Sequence, residues 1–413
     1  MKTRSKLKFK LSAAVAVLTL AGFTGGALNA QSKISGDVVK IGVLTDMSGL
    51  YADLGGTGSV LAANMAVEDF AKDRMVLGKK IEIVSADHQN KADVASTKAR
   101  EWYDRDGVDM ITDLLNSSVG LAVAKVTAEK KKLSINTGAA STRLTNEECN
   151  PNSIHYTYDT YALANGTGKA VVKQGGKSWF FLTADYAFGH SLESDTANVV
   201  KANGGEVKGA VRHPLNAADF SSFLLQAQAS KAQIVGLANA GGDTINAIKA
   251  ANEFGLTKTQ ALAGLLVFIT DIHALGLPAT QNMYVTEAWY WDLNEQTRAW
   301  SRRFFEKHKK MPTMIHAGTY SAVLQYLKAT QAAGTDDSAA VIAQMKKTKM
   351  SDMFMQNGTL RDDGRVVHDM YLLQVKKQSE SKAPWDYYHV RQKIDAAEAF
   401  QPLAASRCPA VKK

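Results

Sequence analysis

The chain has 413 residues, of which 45% are hydrophobic and 22% are charged, so a packed globular core is expected and extensive disorder is excluded. This length favours two domains or one large domain. The net charge of +9 falls to +4 without the five basic residues of the first 30, and this small excess does not indicate a nucleic-acid partner.

Residues 1–30 have the layout of a secretory signal peptide. A basic head precedes an apolar run from residue 11 to about residue 23, and small residues then lead to Ala30. The apolar run is too short to cross the ~30 Å hydrocarbon core of a bilayer comfortably. No cysteine stands at the expected cleavage site, so we expect no lipid anchor there. We expect export to the periplasm and cleavage near Ala30.

After the expected signal peptide, the sequence alternates strand and helix patterns. Strands are predicted at residues 38–45, 80–87, 108–114 and 133–136, and helices at 59–72, 92–105 and 118–131. In the second of these helices Ala95, Ala99 and Trp102 share one face. Such alternation predicts a parallel sheet with helices on both faces.

The pattern restarts near residue 178. Strands are predicted at residues 178–183, 206–213, 232–238, 261–266 and 282–287, and helices at 192–203, 220–230 and 244–254. Helices at 293–310, 317–333 and 339–347 and a closing strand at 367–376 complete the chain. Two such arrays in tandem predict an α/β protein with two doubly wound lobes.

Six segments carry a resemblance to a known family. In chain order they read KIGVLTDMSGLYADLGG, GSVLAANMAVEDF, VSADHQNKADVASTKAREW, INTGAASTRLT, LTADYAFGHSLE and MPTMIHAGTYSAV. Together they resemble the type I periplasmic solute-binding proteins of ABC transporters, in the branched-chain amino-acid (Leu/Ile/Val) family. The resemblance implies two Rossmann-like lobes with parallel sheets, joined by three crossover strands near residues 154–158, 287–291 and 359–367, with the ligand in the cleft.

The same resemblance implies a division of the chain into lobes. Residues 31–156 and 289–360 would form the first lobe, and residues 157–288 and 361–400 the second lobe. A C-terminal tail would occupy residues 401–413.

The chain contains two cysteines, Cys149 and Cys408. In an oxidising compartment, two cysteines suggest one disulfide, which here would tie the C-terminal tail to a loop in the first half. Two free thiols are the alternative.

Two loops of the first lobe are candidates for holding a carboxylate. Loops at the carboxyl ends of parallel strands present helix N-termini, which attract anions. In the family, the matching loops hold the ligand carboxylate through hydroxyl and backbone N–H groups, which here implies Ser117, Ser118, Ala139, Ala140 and Ser141. The alternative is that these serines only cap helices.

Aromatic residues complete the candidate site. Tyr51 lies just after the first strand, where the family often approaches its ligand, and Tyr186 matches a position that covers the ligand from the second lobe. Phe188 lies nearby. A tyrosine offers both an apolar face and a hydroxyl, and core packing is the alternative for all three residues.

One second-lobe loop departs from the amino-acid binders of the family. Those proteins carry an acidic residue there that neutralises the ligand ammonium, whereas the matching stretch AGLLVFITD presents Leu266 and ends in Asp271. An unpaired ammonium buried against leucine would be unfavourable. Trp289, at the second crossing, would line the cleft or pack in the hinge. We expect a small organic acid, with an aromatic carboxylate favoured and a branched-chain or other amino acid as the alternative.

No complete catalytic or nucleotide-binding motif is present: GxxxxGK[ST], HExxH and GxSxG are all absent. We therefore expect a binding protein rather than an enzyme, with no cofactor and no metal site. The resemblance implies an ABC permease in the inner membrane as partner and a monomeric state. A ligand-sensing receptor subunit with the same clamp is a further alternative.

Overall fold

The computed structural model describes residues 34–411, so the expected signal peptide lies outside the described residues. The described chain is an α/β fold with two separate parallel sheets, which confirms the predicted fold class. Within residues 34–411 no helix has the length and apolar character needed to cross a membrane.

The first sheet contains six strands: β1 (Val38–Thr45), β2 (Met75–Val76), β3 (Lys79–Asp87), β4 (Met110–Asp113), β5 (Leu133–Asn136) and β6 (Ser153–His155). Their order is β2-β3-β1-β4-β5-β6, and the short β2 alone runs antiparallel to its neighbour. The helices of this region are α1 (Gly56–Phe70), α2 (Ala92–Asp104) and α3 (Ser117–Lys130).

Helix α2 packs on this sheet through the face that its sequence predicts. Ala95, Ala99 and Trp102 are all buried. A Cβ atom on Gly42 of β1 would lie 2.5 Å from the ring of Trp102, so the glycine makes room for the indole over the strand. The helical periodicity therefore identifies the packing face correctly.

Between β6 and the second sheet the chain forms α4 (Thr160–Leu163), a π-helical turn (Ala164–Gly168) and α5 (Lys169–Lys173). The second sheet contains β7 (Ser178–Ala184), β8 (Glu206–His213), β9 (Ile234–Ala238) and β10 (Ala261–Gly264), in the parallel order β10-β9-β7-β8. Its helices are α6 (Ala187–Ala202), α7 (Ser221–Ala229), α8 (Gly241–Glu253), α9 (Ile269–Leu275) and α10 (Leu277–Thr280).

The C-terminal part adds antiparallel strands. Its strands are β11 (Tyr284–Glu287), β12 (Thr359–Leu360), β13 (Val366–Val367), β14 (Met370–Val375) and β15 (Tyr388–Ile394). Its helices are α11 (Glu295–His308), α12 (Met314–Ala333), α13 (Ser338–Lys347) and α14 (Ala396–Ala399). Strands β11, β14 and β15 form one antiparallel sheet, and β12 pairs with β13.

The prediction of one closing strand at residues 367–376 is wrong. Strand β13 ends at Val367 and β14 begins at Met370. Between them, the carboxylate of Asp369 accepts a hydrogen bond from the backbone N–H of Ala396, 3.0 Å away, which turns the chain out of the ladder. Strand β15 is not predicted, because four consecutive exposed residues hide the two-residue period of a strand.

The first and third expected crossings lie side by side. Residues 154–158 contain the end of β6, and residues 359–367 contain β12 and β13. Arg365 is fully buried, and its two terminal nitrogens donate to the carbonyl oxygens of Tyr158 and Tyr156, each at 2.9 Å. This guanidinium ties the two crossings together. The exact division of the chain into lobes stays a prediction.

The C-terminal tail returns to the connection between β5 and β6. A disulfide joins Cys149 and Cys408, whose Cα atoms are 5.5 Å apart. The backbone N–H of Arg407 donates to Asn146 Oδ1 at 2.8 Å, and Ser406 Oγ donates to the carbonyl oxygen of Thr145 at 3.1 Å. The tail is therefore fixed to the segment that follows the candidate loop at residues 139–141.

Candidate ligand-binding site

A small cavity of about 20 Å³ lies between the strand ends of the two parallel sheets. It is lined by Tyr51, Leu54, Leu115, Asn116, Ser117, Gly138, Ala139, Ala140, Tyr158, Tyr186, Phe188, Ala240 and Leu266. Every one of these residues lies after the carboxyl end of a parallel strand, in the connections that follow β1, β4, β5, β6, β7, β9 and β10 or in the first turn of the next helix. This is the position at which open α/β sheets bind ligands. This volume holds about one water molecule and is far below the range of roughly 300–1,000 Å³ for small-molecule sites, so the walls must move apart to admit an organic ligand.

The electrostatic character of the cavity comes from helix ends. Among the described lining residues there is no Asp, Glu, Lys, Arg or His. Three helices begin at the wall: α3 at Ser117, α6 directly after Tyr186, and α8 directly after Ala240. Helix N-termini present N–H groups and the positive end of the helix dipole, so this neutral wall favours an anion.

Hydrogen bonds fix the first-lobe wall. Ser117 Oγ accepts from the backbone N–H groups of Ala140 at 3.2 Å and Ser141 at 3.1 Å. Because both bonds use its oxygen as acceptor, the hydroxyl hydrogen of Ser117 is left to donate towards the cavity. Asn116 Oδ1 accepts from the N–H groups of Ser118 at 2.8 Å and Val119 at 3.2 Å, and so caps α3.

Two contacts close the cleft around the cavity. The hydroxyl oxygens of Tyr51 and Tyr186, which follow β1 and β7, are 2.6 Å apart. The backbone N–H of Gly242 in α8 donates to the carbonyl oxygen of Leu50 at 3.2 Å. Burial raises the pKa of the Tyr51 and Tyr186 hydroxyls, so both remain neutral donors and acceptors at neutral pH. The described conformation is therefore the closed one.

Seven of the ten predicted contact residues line this single cavity: Tyr51, Ser117, Ala139, Ala140, Tyr186, Phe188 and Leu266. Six further lining residues are not predicted: Leu54, Leu115, Asn116, Gly138, Tyr158 and Ala240. The position after a strand end is the signal that could have identified them, because all six share it with the predicted residues.

Three predicted residues do not line the cavity. Ser118 follows Ser117 in the first turn of α3 and is absent from the wall. Ser141 Oγ forms a hydrogen bond with Ser191 Oγ at 2.7 Å. Trp289 Nε1 donates to the carbonyl oxygen of Met353 at 3.2 Å, and its ring packs edge-on against Trp300 at 5.7 Å. Trp289 therefore packs against other parts of the protein and not against the cavity.

Asp271, the acidic residue nearest the expected ammonium site, is used inside the protein. Its Oδ2 accepts the backbone N–H of Phe268 at 2.9 Å and caps α9. Burial raises the pKa of this carboxyl to about 7. Asp271 does not line the cavity, so the second-lobe wall presents no carboxylate to a ligand amine.

This architecture defines a class before any comparison: an α/β clamp that encloses a small molecule between the strand ends of two sheets. The model of the family described as periplasmic binding protein matches residues 38–381, and the chain belongs to this family, with the type I fold. It is a periplasmic solute-binding protein of an ABC transporter, with a small-molecule ligand and a permease as partner.

Solved structures of similar chains agree with this assignment. A periplasmic binding protein from Burkholderia mallei is 60% identical, with a TM-score of 0.90, over 91% of this chain and 100% of that chain. A branched-chain amino acid ABC transporter periplasmic ligand-binding protein from Burkholderia xenovorans LB400 is 43% identical, with a TM-score of 0.79, over 90% and 99%. A solute-binding protein of an ABC transporter from Rhodopseudomonas palustris BisB5, in complex with 3,4-dihydroxybenzoic acid, is 22% identical. Its TM-score is 0.78 over 87% and 98%, a likeness that shows the fold alone.

Proposed function

We propose that this protein captures a small carboxylate, with an aromatic carboxylate favoured, and delivers it to its permease without chemical change. The main support is the composition of the cavity wall: three helices begin there, each with the positive end of its dipole at the wall, the Ser117 hydroxyl hydrogen is left to donate, and no lining side chain carries a charge. A carboxylate gains charge-assisted hydrogen bonds at such a wall.

The aromatic part of the proposal is supported by the side chains around the polar groups. Tyr51, Tyr158, Tyr186 and Phe188 contribute rings to the lining of this cavity. A flat ring buries its faces against such a wall and gains from edge-to-face contact. The dihydroxybenzoate complex of the Rhodopseudomonas protein shows that the fold accommodates such a ligand in that protein.

An amino acid is the second candidate, because the relative that is 43% identical is named a branched-chain amino acid binding protein. The cavity argues against an amino acid. Because Asp271 is bonded inside the protein as the cap of α9, a ligand ammonium would meet only neutral groups. A buried ammonium without a carboxylate is strongly disfavoured.

Binding would act through closure. A ligand that touches both walls gains its second set of contacts only when the Tyr51–Tyr186 and Leu50–Gly242 contacts form. It therefore shifts the population from open to closed, and the closed form is the one presented to the permease. No acid, base or nucleophile of an enzyme is needed for this role.

A thermal-unfolding screen with four matched compounds tests the proposal. Benzoate at 100 times its dissociation constant should stabilise the protein by about 2.7 kcal/mol. Benzamide keeps the ring and removes the charge, cyclohexanecarboxylate keeps the charge and removes the aromatic ring, and leucine adds the amine. We expect benzoate to exceed cyclohexanecarboxylate, and benzamide and leucine to have no effect. Stabilisation by leucine alone would overturn the substrate class.

A further inference from the structure

Asp113 is a buried carboxylic acid beside the cavity that the proposed function does not use. It ends β4, two residues before the lining residue Leu115, and its side chain is fully buried. Its backbone φ is +75°, a conformation that non-glycine residues rarely adopt. Its carbonyl oxygen accepts the N–H groups of Thr137 at 3.2 Å and Gly138 at 2.9 Å, so Asp113 holds the start of the loop that lines the cavity.

The Asp113 carboxyl lies directly beneath the cavity wall. A Cβ atom on Gly138 would lie 2.7 Å from Asp113 Oδ1, and a Cβ atom on Gly55 would lie 3.0 Å from Oδ2. Gly138 lines the cavity, so one backbone layer separates the carboxyl from a bound ligand. Within residues 34–411 neither oxygen of Asp113 forms a hydrogen bond of good geometry, and the hydroxyls of Thr45 and Ser59 are the neutral groups that come nearest to bonding it. A buried carboxylate with no partner is unfavourable unless it is protonated.

The groups that face Asp113 offer it no positive charge. The hydroxyls of Thr45 and Ser59 and the carboxyl of Asp46 approach from the β1–α1 region. Tyr158 faces it from the connection after β6. On α12, which packs against β4, the ring of His316 is bonded to the carbonyl oxygen of Gly55.

The protonation of this cluster follows from burial. Burial raises the pKa of Asp113 to about 7, the two hydroxyls oppose this shift, and Asp46 adds to it. Burial lowers the pKa of His316 to about 3, so its ring is neutral. In the described chain Asp113 has no ion-pair partner, and near neutral pH both of its protonation states are accessible.

We propose that Asp113 is a positioning residue that makes ligand capture proton-linked, because only its neutral form tolerates an anion on the other side of Gly138. This inference rests on the proposed binding of a carboxylate. A second negative charge within the same water-excluded region raises the free energy of the bound state. Binding therefore fixes a proton on Asp113, and affinity falls as the proton leaves.

The pH profile of benzoate affinity tests this inference. If only the neutral form binds, the apparent dissociation constant scales with the inverse of the neutral fraction, and it rises about tenfold from pH 6 to pH 8. The Asp113→Asn variant should show a flat profile. Asp109→Asn is the matched control, because Asp109 lies at the other end of β4 and accepts from the N–H of Lys40 at 2.9 Å. The profile of Asp109→Asn should keep the tenfold change. A flat profile for the wild-type protein would refute the inference.

A measurement on the wild-type protein avoids any folding defect of Asp113→Asn. Calorimetric titration with benzoate at pH 8, in buffers of different ionisation enthalpy, counts the protons taken up on binding. We expect close to one proton per ligand at pH 8 and almost none at pH 6. Binding at pH 8 without proton uptake would overturn the proposed role of Asp113.

Failure of the proposed function is distinguishable from failure of this inference. If benzoate and cyclohexanecarboxylate bind at no pH, the substrate class is wrong. The protonation of Asp113 is then tested through the pH dependence of the stability of the unliganded protein. The folded state then holds an extra proton between the unfolded pKa of ~3.9 and the folded pKa of about 7, so stability falls as pH rises through this window. In Asp113→Asn the stability should no longer fall as pH rises through this window. If the variant keeps the same dependence of stability on pH, Asp113 is not protonated in the folded protein.

Discussion

On the first-lobe wall of the cavity, polar side chains join neighbouring loops by hydrogen bonds, whereas the second-lobe wall presents rings and aliphatic side chains to the cavity. On the first side, Ser117 Oγ accepts two backbone N–H groups of the neighbouring loop, and Asn116 Oδ1 accepts those of Ser118 and Val119. On the second side, the rings of Tyr186 and Phe188 pack against each other at 5.9 Å.

This difference assigns different tasks to the two walls. A wall whose loops are bonded to each other keeps its donors in place before the ligand arrives, which reduces the ordering needed on binding. A wall of rings and aliphatic side chains adds contact area without fixing a charge position. The first lobe would therefore select the carboxylate, and the second lobe would complete burial on closure.

The largest expected effect comes from the disulfide that staples the first wall. Replacing both Cys149 and Cys408 by serine should lower the free energy of unfolding by about 2–5 kcal/mol, since it releases a loop closed over a separation of 259 residues. Urea unfolding of the variant measures this loss. Wild-type protein treated with a reductant is the control and should match the variant. If the variant, the reduced wild type and the untreated wild type are equally stable, the disulfide of the tail does not stabilise the first wall.

The outlines of the fold follow from the sequence because buried parallel strands are distinctive. The bounds of β1, β5 and β8 agree with prediction, since each is a short run bounded by turn or polar residues. The C-terminal sheet does not follow in the same way. Strand β15 is exposed through its centre, and the break between β13 and β14 depends on a contact of Asp369 with α14, which local sequence does not contain.

The sequence predicts which loops form the site, but not which side chains of those loops face the cavity. The rule that ligands sit beyond strand ends selects the connections that form the wall. It does not give side-chain direction, which depends on where each helix begins. Helix α3 begins at Ser117, one residue before its predicted start, and Ser117 rather than Ser118 lines the cavity. Leu114 has a φ of +60°, a local geometry that also sets the direction of Leu115 and has no sequence signal.

Ser117 and Ser118 form a matched pair for testing the first wall. Ser117→Ala removes the acceptor of two loop N–H groups and the proposed donor to the ligand. A hydrogen bond to a charged group contributes about 1.5–3 kcal/mol, so we expect benzoate affinity to fall roughly ten- to hundredfold. Ser118→Ala should leave affinity unchanged, because Ser118 lies outside the wall. Isothermal titration of both variants checks this, and equal affinities would remove Ser117 from the proposed carboxylate site.

The smallest expected effect concerns the bond that joins the two walls. Tyr51→Phe and Tyr186→Phe each break the 2.6 Å contact between the hydroxyls, which contributes about 0.5–1.5 kcal/mol to the closed form. Either variant should weaken benzoate binding roughly two- to tenfold. The double variant should bind like each single one, because the shared bond is lost only once.

Additive losses in this cycle would reassign the two hydroxyls. They would mean that each hydroxyl contacts the ligand by itself, and the contrast between a polar first wall and an apolar second wall would not hold. The cycle should also give the same coupling at pH 6 and pH 8, since burial raises the pKa of both hydroxyls and neither ionises in this range. We expect the coupling energy of the tyrosine pair to stay constant while benzoate affinity changes tenfold between pH 6 and pH 8. This result would show that closure depends on the tyrosine pair and that the proton linkage arises elsewhere, as assigned to Asp113.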